Sequence, residues 1–204
     1  MLDDQLVSGL VSLGLEYDPG RLGKIQLLYR SLLRWNQVFN LTKVEDEADF
    51  IAKHVLDSLS VHPFLTGERI LDVGTGAGFP GLPLAIFFPG LRFTLLDTVG
   101  KKIRFVRQMV LELGLPNVEV VQSRVEHYAV SPGFDTILTR AFAEVGESYP
   151  LCHHLLIPGG KFLAMKGRYP QAELSALGDL PHRVIPLTVP GLDAERHLIE
   201  ITRA

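Results

Sequence analysis

Glycines and an acidic residue cluster around a short apolar run in the first half of the chain. Asp72 lies within the apolar run 70–73, and four glycines follow it at Gly74, Gly76, Gly78 and Gly81. Glycine adopts positive φ without steric cost and lets a ligand approach the backbone closely. Pro80 and Pro83 then begin an apolar segment, as the first turn of a helix tolerates proline. The stretch therefore predicts a buried strand, a tight turn that can hold a ligand, and a helix.

The spacing of these glycines helps to distinguish two classes of adenine-containing ligand. A dinucleotide-binding fingerprint, G-x-G-x-x-G, fails when it starts at Gly74 but fits when it starts at Gly76, which favours a nicotinamide-dependent oxidoreductase only weakly. Asp72 followed by G-x-G-x-G resembles motif I of class I S-adenosylmethionine-dependent methyltransferases, in which the glycines let the methionyl part of the cofactor lie against the backbone. A regulatory nucleotide-binding module without catalysis, or a glycine turn that serves packing alone, are alternatives of a different kind.

Acidic and apolar residues at two further predicted strand ends suit the rest of such a cofactor. Asp97 ends the strand after the glycine helix, where an acid accepts hydrogen bonds from ribose hydroxyls in doubly wound folds. A role as a helix cap or turn residue is the alternative for Asp97. Val125 and Glu126 follow the next strand, where a backbone N–H or a carboxylate can meet an adenine ring. Glu126 fits equally well as an acid at the start of a helix.

Arg140 ends the fourth predicted strand, whose end usually faces the methyl acceptor in this architecture. Its guanidinium can hold a phosphate or a base with two parallel hydrogen bonds, and an ion pair with a nearby acid is the alternative. His54 and Asp57 lie one turn apart on a predicted N-terminal helix. They are either catalytic or, as we favour, structural, tying that helix to the glycine-loop domain.

Basic residues form two local groups. One group lies at the start of the helix after Asp97, and the other lies on either side of the fifth strand. For both groups, a solvent-exposed face is the default explanation. Lys166 and Arg168 lie at the predicted ligand edge, which favours phosphate contact. The residues predicted to bind RNA are Lys101, Lys102, Arg104, Lys166 and Arg168.

The order of predicted elements indicates an α/β fold with a helical cap. Helices are predicted over residues 2–14, from 19 to about 40 after an Asp18 N-cap, and over 45–60. Predicted strands then cover 70–73, 92–97, 118–123, 134–140, 160–166, 184–189 and 197–202, and predicted helices cover 82–88, 101–113, 145–156 and 171–177.

This alternation implies a mostly parallel sheet with right-handed crossovers. No helix fits between the last two strands, so they must form a hairpin that makes one strand antiparallel. We therefore expect a Rossmann-like class I methyltransferase fold with a seven-stranded sheet. Residues 1–66 are predicted to be a helical extension packed on the core, and residues 67–204 the S-adenosylmethionine-binding domain.

Composition sets the broad class of the protein. The 204 residues are 47% hydrophobic and 21% charged, which is ordinary for a globular chain. A single cysteine, Cys152, excludes an intrachain disulfide and a cysteine metal cluster and fits a reducing compartment. Neither a signal peptide nor a bilayer-spanning segment is predicted, so we expect a cytoplasmic protein. With a net charge of −3, nucleic acid binding would need local basic patches.

Beyond these separate motifs, nearly the whole chain resembles the GidB or RsmG family of small-subunit ribosomal RNA methyltransferases. The matching segments are Trp35-Asn36, Asn40-Leu41-Thr42, His54 to Ser58, Asp72 to Gly81, Thr94 to Asp97, Gly100-Lys101-Lys102, Gln122 to Glu126, Thr139 to Phe142, Lys166-Gly167 and Arg196-His197. Met165 stands where the family often has leucine, a change that conserves volume.

The resemblance implies a specific reaction. It is the transfer of methyl from S-adenosyl-L-methionine to N7 of a guanine in 16S ribosomal RNA, free or within a 30S subunit, without metal or membrane. The cofactor contacts that it implies are Gly74, Phe79, Val125, Glu126 and Arg140. Guanine N7 is an unprotonated lone pair at neutral pH, which agrees with a sequence that offers no convincing general base.

Overall fold

A seven-stranded sheet forms the centre of the protein. The computed structural model describes residues 2–44 and 46–204; Glu45, where the sequence predicts the third helix to begin, lies outside the described residues. The strands are β1 Arg69–Val73, β2 Arg92–Asp97, β3 Val118–Gln122, β4 Phe134–Arg140, β5 Leu156–Lys166, β6 His182–Pro186 and β7 His197–Thr202. They lie in the order β3-β2-β1-β4-β5-β7-β6.

Strand directions follow the predicted topology. The pairs β1–β2, β1–β4, β2–β3 and β4–β5 are parallel, and β7 runs antiparallel to both β5 and β6. The predicted hairpin and the single antiparallel strand are therefore confirmed. Because β7 is reversed, its first residue, His197, pairs with Lys166 at the end of β5. The start of β7 thus lies at the same sheet edge as the ends of the parallel strands.

Helices cover both faces of the sheet. They are α1 Leu2–Ser12, α2 Pro19–Phe39, α3 Glu47–Asp49, α4 Asp57–Leu59, α5 Gly81–Phe87, α6 Gly100–Glu112, α7 Val145–Cys152 and α8 Gln171–Ser175. As predicted, Asp18 caps α2, since its side chain accepts a hydrogen bond from the backbone N–H of Arg21. None of the helices in the described part of the chain is long and apolar enough to cross a bilayer.

The predicted third helix is not a uniform α-helix. Between α3 and α4 the segment Phe50–Leu56 is π-helical, and the Asp57 N–H donates to the carbonyl of Ala52 five residues back. Residues of this segment are buried on almost every side, so tertiary packing rather than local propensity determines its geometry. π-Helical turns are frequent at functional sites. Residues 47–59 are called the mixed helix below.

Two strand boundaries also differ from prediction. β5 begins at Leu156 rather than Gly160, because three extra residues bulge between the pairs Phe134–Leu156 and Thr136–Lys161. A Cβ at Gly160 would lie 2.9 Å from the Ile157 carbonyl oxygen and 3.1 Å from that of Phe134, so a side chain at this position would require the backbone to shift. β6 spans His182–Pro186 rather than 184–189, since the antiparallel register ends where Pro186 faces the first residue of β7.

The N-terminal helices share a hydrophobic core with one face of the sheet. This core runs from Leu6 and Ile25 through Phe50 of the mixed helix to Leu95 and Leu138 of the sheet. A second core, which includes α7, covers the other face. The division of the chain between residues 66 and 67 stays a prediction.

Candidate active site

Two cavities lie side by side at the carboxyl edge of the sheet. The glycine-loop cavity, about 300 Å³, is lined by residues that include Gly74, Leu96, Asp97, Val125, Glu126 and Phe142. The arginine cavity, about 370 Å³, is lined by residues that include Lys53, Asp57, Arg140, Lys166, Arg196 and His197. Ala141, directly after β4, lines both. The edge predicted from strand ends therefore holds two neighbouring sites.

The glycine loop is fixed to the end of β2. The backbone N–H groups of Gly74 and Thr75 donate to the Leu96 carbonyl at 2.8 and 3.0 Å. Gly74 and Gly76 have φ of +71° and +61°, which side chains rarely adopt. A Cβ at Gly74 would also lie 2.7 Å from the ring of Phe142. The loop thus needs glycine at both positions, and Gly74 lines the cavity together with the Phe142 ring that packs against it.

Asp97 combines the predicted position with the alternative structural role. Its Oδ2 accepts a hydrogen bond from Gly76 N–H at 2.9 Å, and its Oδ1 accepts one from Val99 N–H at 2.8 Å. The carboxylate holds the glycine loop against β2 and lines the cavity at the same time. Each oxygen retains a second lone pair, so Asp97 can also accept bonds from a ribose diol.

Asp72 is fully buried beneath the loop with one oxygen unpartnered. Its Oδ2 accepts bonds from the Thr75 hydroxyl at 2.7 Å and from Gly81 N–H at 2.9 Å. Its Oδ1 has no hydrogen-bond partner among the described residues. Burial raises the pKa of Asp72 to about 6. A buried carboxylate oxygen of this kind is costly, and it favours a cationic group nearby.

Arg140 is the centre of a polar network in the arginine cavity. Its Nη1 donates to the Lys53 carbonyl at 3.0 Å and to Asp57 Oδ2 at 3.2 Å, and its Nη2 lies 3.3 Å from His54 Nδ1. Its guanidinium also stacks over the Phe79 ring, 5.5 Å from the centroid. The ion pair considered from sequence as the alternative for Arg140 is therefore present, and the side chain also lines the cavity.

Asp57 lies between two arginines. Its second oxygen, Oδ1, accepts a bond from Arg196 Nε at 2.8 Å, and its side chain is 4% exposed. His54 is buried as well, with Nε2 3.1 Å from the Lys43 carbonyl. Burial, and then the charge of Arg140, lower the pKa of His54 to about 4. A neutral ring that donates through Nε2 and accepts through Nδ1 fits both contacts, so both residues tie the mixed helix to the sheet edge.

The predicted RNA-binding residues lie in different parts of the structure and make different contacts. Lys102 lines the glycine-loop cavity. Lys101 donates to the Phe39 carbonyl at 2.7 Å and Arg104 lies over the Phe39 ring, so both contact α2. Lys166 lines the arginine cavity and pairs with Glu173 at 2.6 Å.

The remaining predicted site residues range from exposed to buried. Arg168 is exposed. Val125 is buried and Glu126 is exposed, and both line the glycine-loop cavity as expected. Phe79 is 3% exposed and packs against His54. Phe79 lines neither of the two cavities, so the cofactor contact at this residue stays a prediction.

The lining residues that have no role in the sequence-based prediction include Lys53, Arg196 and Phe142. The signal for Arg196 is its place directly before an antiparallel strand, which brings it to the edge where the parallel strands end. Among residues 2–44 and 46–204, no group of three His, Cys, Asp or Glu side chains could hold a metal ion.

Proteins of a known family resemble this chain in sequence. A family model described as GidB, rRNA small subunit methyltransferase G, matches residues 21–199. The chain belongs to this family. The ribosomal RNA small subunit methyltransferase G of Shewanella amazonensis is 45% identical over 206 residues, with 100% of both chains covered. Its counterpart in Nitrosococcus oceani is 50% identical over 199 residues, 96% of this chain and 92% of the relative.

Solved structures resemble the chain in fold. A SAM-dependent methyltransferase from Aquifex aeolicus superposes with a TM-score of 0.62 at 18% identity, covering 93% of this chain and 100% of that one. A putative O-methyltransferase from Klebsiella pneumoniae gives 0.62 at 15% identity, covering 96% and 94%. The Rossmann-like fold is thereby confirmed, and membership of the methyltransferase family shows that the oxidoreductase alternative is wrong.

This methyltransferase uses S-adenosyl-L-methionine, and the glycine-loop cavity fits that cofactor. Bare backbone at Gly74 suits the methionyl part, Asp97 suits the ribose diol, and the apolar walls at Leu96 and Val125 suit the adenine ring. Asp72 lines neither cavity, so its unpartnered oxygen lies beneath the glycine loop. When bound, the cofactor supplies an electrophilic methyl group on a sulfonium ion.

Replacing Asp97 with alanine should weaken cofactor binding by roughly ten- to a hundredfold, as expected for a lost charge-assisted hydrogen bond. Turnover should largely recover at saturating cofactor. Asp135→Ala is the matched control, because Asp135 also accepts two backbone N–H bonds, from Glu68 and Arg69, but at the opposite sheet edge. Calorimetric titration of each variant with cofactor measures the effect. Equal affinity in both variants would show that the Asp97 carboxylate does not contribute to cofactor binding.

Replacing His54 with glutamine should change how stability depends on pH. The folded-state pKa, about 4, lies below the usual 6.5, so the unfolded chain takes up the proton first. As the pH falls from about 6.5 to 4, His54 therefore lowers the free energy of unfolding of the parent protein by up to about 3 kcal/mol. Asp72 titrates in the same range with the opposite sign, which is why the variant must be compared with the parent. Urea unfolding at pH 7.5, 6 and 4.5 measures the free energy of unfolding of the parent and of the variant. The difference between the two values should shrink as the pH falls, and a constant difference would contradict the prediction.

Proposed function

We propose that this chain methylates N7 of a guanine in 16S ribosomal RNA in the cytoplasm, with the arginine cavity receiving the acceptor nucleotide. The observation that carries the proposal is that the arginine cavity adjoins the cofactor cavity at Ala141. Its lining includes Lys53, Arg140, Lys166 and Arg196 against one carboxylate, Asp57. Such a lining suits the phosphates and the acceptor-rich edge of a guanine nucleotide.

The residues at the arginine cavity support an acceptor atom that needs no general base. The neutral His54 uses both ring nitrogens in contacts to Lys43 and Arg140, and the Asp57 oxygens are bonded to arginines. Neither is available to take a proton from a substrate. A guanine N7 lone pair needs no deprotonation: it attacks the methyl carbon, the carbon–sulfur bond breaks, and the positive charge passes from sulfur to the base. Catalysis is then largely alignment of N7 with that bond.

Nucleoside analysis tests the proposal directly. The enzyme, either untreated or stripped with EDTA and then dialysed, is incubated with cofactor and either naked 16S RNA or 30S subunits from a strain that lacks the gene. Digestion and mass spectrometry should show 7-methylguanosine, at the same level for untreated and stripped enzyme. The same experiment distinguishes naked 16S RNA from an assembled or assembling 30S subunit as the substrate. Methylation of another atom, or of neither RNA, would overturn the assignment.

Arg168→Ala should reduce the salt dependence of RNA binding. Arg168 is exposed next to the arginine cavity, whereas Lys166 is paired with Glu173 and shapes the neighbouring loop. Losing one phosphate contact lowers the slope of log K against log salt by about 0.7 to 0.9. Arg183→Ala is the control, because it removes the same charge from an exposed side chain on β6. The measurement is filter binding of RNA between about 50 and 200 mM salt. Equal slopes of log K against log salt in the two variants would show that Arg168 is only a solvated surface residue.

A further inference from the structure

Phe142 stands at the point where the two cavities meet. Ala141 lines both cavities and has a φ of +52°, and Phe142 follows it on the wall of the glycine-loop cavity. A Cβ at Gly74 would touch the Phe142 ring at 2.7 Å, so the ring lies directly against the bare loop backbone. The residue remains 36% exposed. Part of an aromatic ring is therefore open to a ligand at this junction.

Hydrogen bonds on both sides hold this ring in place. Before it, the Arg140 guanidinium is bonded to Asp57 and to the Lys53 carbonyl. After it, Lys166 Nζ donates to the Ala143 carbonyl at 2.9 Å. Glu173 pairs with that ammonium and also accepts the N–H of Val145, the first residue of α7. The backbone that carries Phe142 is therefore held on both sides and is not a free loop tip.

The lining of the glycine-loop cavity leaves this junction for the sulfonium group of a bound cofactor. With the ribose held at Asp97 and the adenine beside Val125 and Glu126, the sulfonium would be left with the wall that includes Gly74 and Phe142. Transfer to an acceptor in the arginine cavity would need the methyl to face the wall that the two cavities share at Ala141. A cation near the face of an aromatic ring is attracted by the ring's quadrupole.

We propose that the Phe142 ring recognises the positive charge of the sulfonium group and so distinguishes S-adenosylmethionine from its neutral product, S-adenosylhomocysteine. This rests on the proposed function, because the arginine cavity is taken as the acceptor side. Loss of the charge on methyl transfer removes the attraction, so the spent cofactor leaves more readily. Phe142 is a binding and positioning residue in this account and takes no proton.

Calorimetric titration of the intact protein with each of the two molecules tests the proposal. Phe142→Leu should weaken S-adenosylmethionine by roughly threefold to thirtyfold and change S-adenosylhomocysteine by less than about twofold. Phe142→Tyr keeps an aromatic face and should keep the parent's affinity ratio. Tyr169→Leu is the matched control: Tyr169 is an exposed aromatic whose ring contacts His197 at the arginine cavity, and its loss should leave both affinities unchanged.

Three results would overturn the proposal. Equal weakening of both molecules by Phe142→Leu would mean that the ring only packs against Gly74. Unchanged affinities with a raised KM for RNA would mean that the ring stacks on the acceptor base instead. If Tyr169→Leu altered the ratio of the two affinities in the same way, the change would reflect a general disturbance of the carboxyl edge of the sheet. Since the parent's 7-methylguanosine yield is measured separately, failure here is distinguishable from failure of the proposed function.

Discussion

Replacing Arg140 with alanine should lower turnover by about a hundredfold even when cofactor is saturating. Arg140 lines the arginine cavity and holds the Lys53 carbonyl, Asp57 and His54 in one arrangement. Its loss removes a guanidinium from the acceptor side and releases the mixed helix from the end of β4. A small misplacement of reacting groups commonly costs about this factor in rate. Saturating cofactor cannot restore acceptor geometry.

The measurement is steady-state methyl transfer to ribosomal RNA with both substrates varied. Arg140→Lys, which keeps the charge but not the planar fork, should fall between the parent and Arg140→Ala. Arg92→Ala is the control, because Arg92 also pairs with an acid, Glu68, but is exposed at the opposite edge of the sheet. It should leave turnover unchanged. If excess cofactor fully restores Arg140→Ala, the residue serves cofactor binding and not the acceptor.

The parts of the site that were predictable from sequence depend on local rules. The glycine loop follows from the spacing after Asp72, because only glycine accepts positive φ at Gly74 and Gly76. Asp97 follows from its place at the end of a strand, since parallel strands bring their carboxyl ends to one edge. The hairpin at the end of the chain follows from the absence of room for a crossover helix. Each of these depends on a few neighbouring residues.

The parts that were not predictable depend on contacts between distant residues. Asp57 meets Arg140 and Arg196, which are 83 and 139 residues away along the chain. No local spacing specifies such pairs. The π-helical Phe50–Leu56 segment likewise depends on packing against both the N-terminal helices and the sheet. No local pattern distinguishes Phe142, because its contact with Gly74 forms only in the folded protein.

Replacing Asp57 with alanine should lower the free energy of unfolding by about 3 to 5 kcal/mol. Its carboxylate is almost fully buried between Arg140 and Arg196, and removing it leaves two partly buried guanidinium groups facing each other without a counter-charge. Breaking a buried ion pair from one side has a cost of this size because the remaining charge stays desolvated. Urea denaturation at neutral pH gives the difference directly.

Asp49→Ala is the matched control for this prediction, because Asp49 lies on the same mixed helix and pairs with Lys53 at 2.7 Å near the surface. A surface pair contributes about 0 to 1 kcal/mol, so the two substitutions should differ by at least about 2 kcal/mol. The triple replacement of Asp57, Arg140 and Arg196 by apolar residues should recover much of the lost stability while remaining inactive, since it removes the stranded charges together with the acceptor site. Equal, small costs for Asp57→Ala and Asp49→Ala would show that water reaches the two arginines and that the network is not what holds the mixed helix to the sheet.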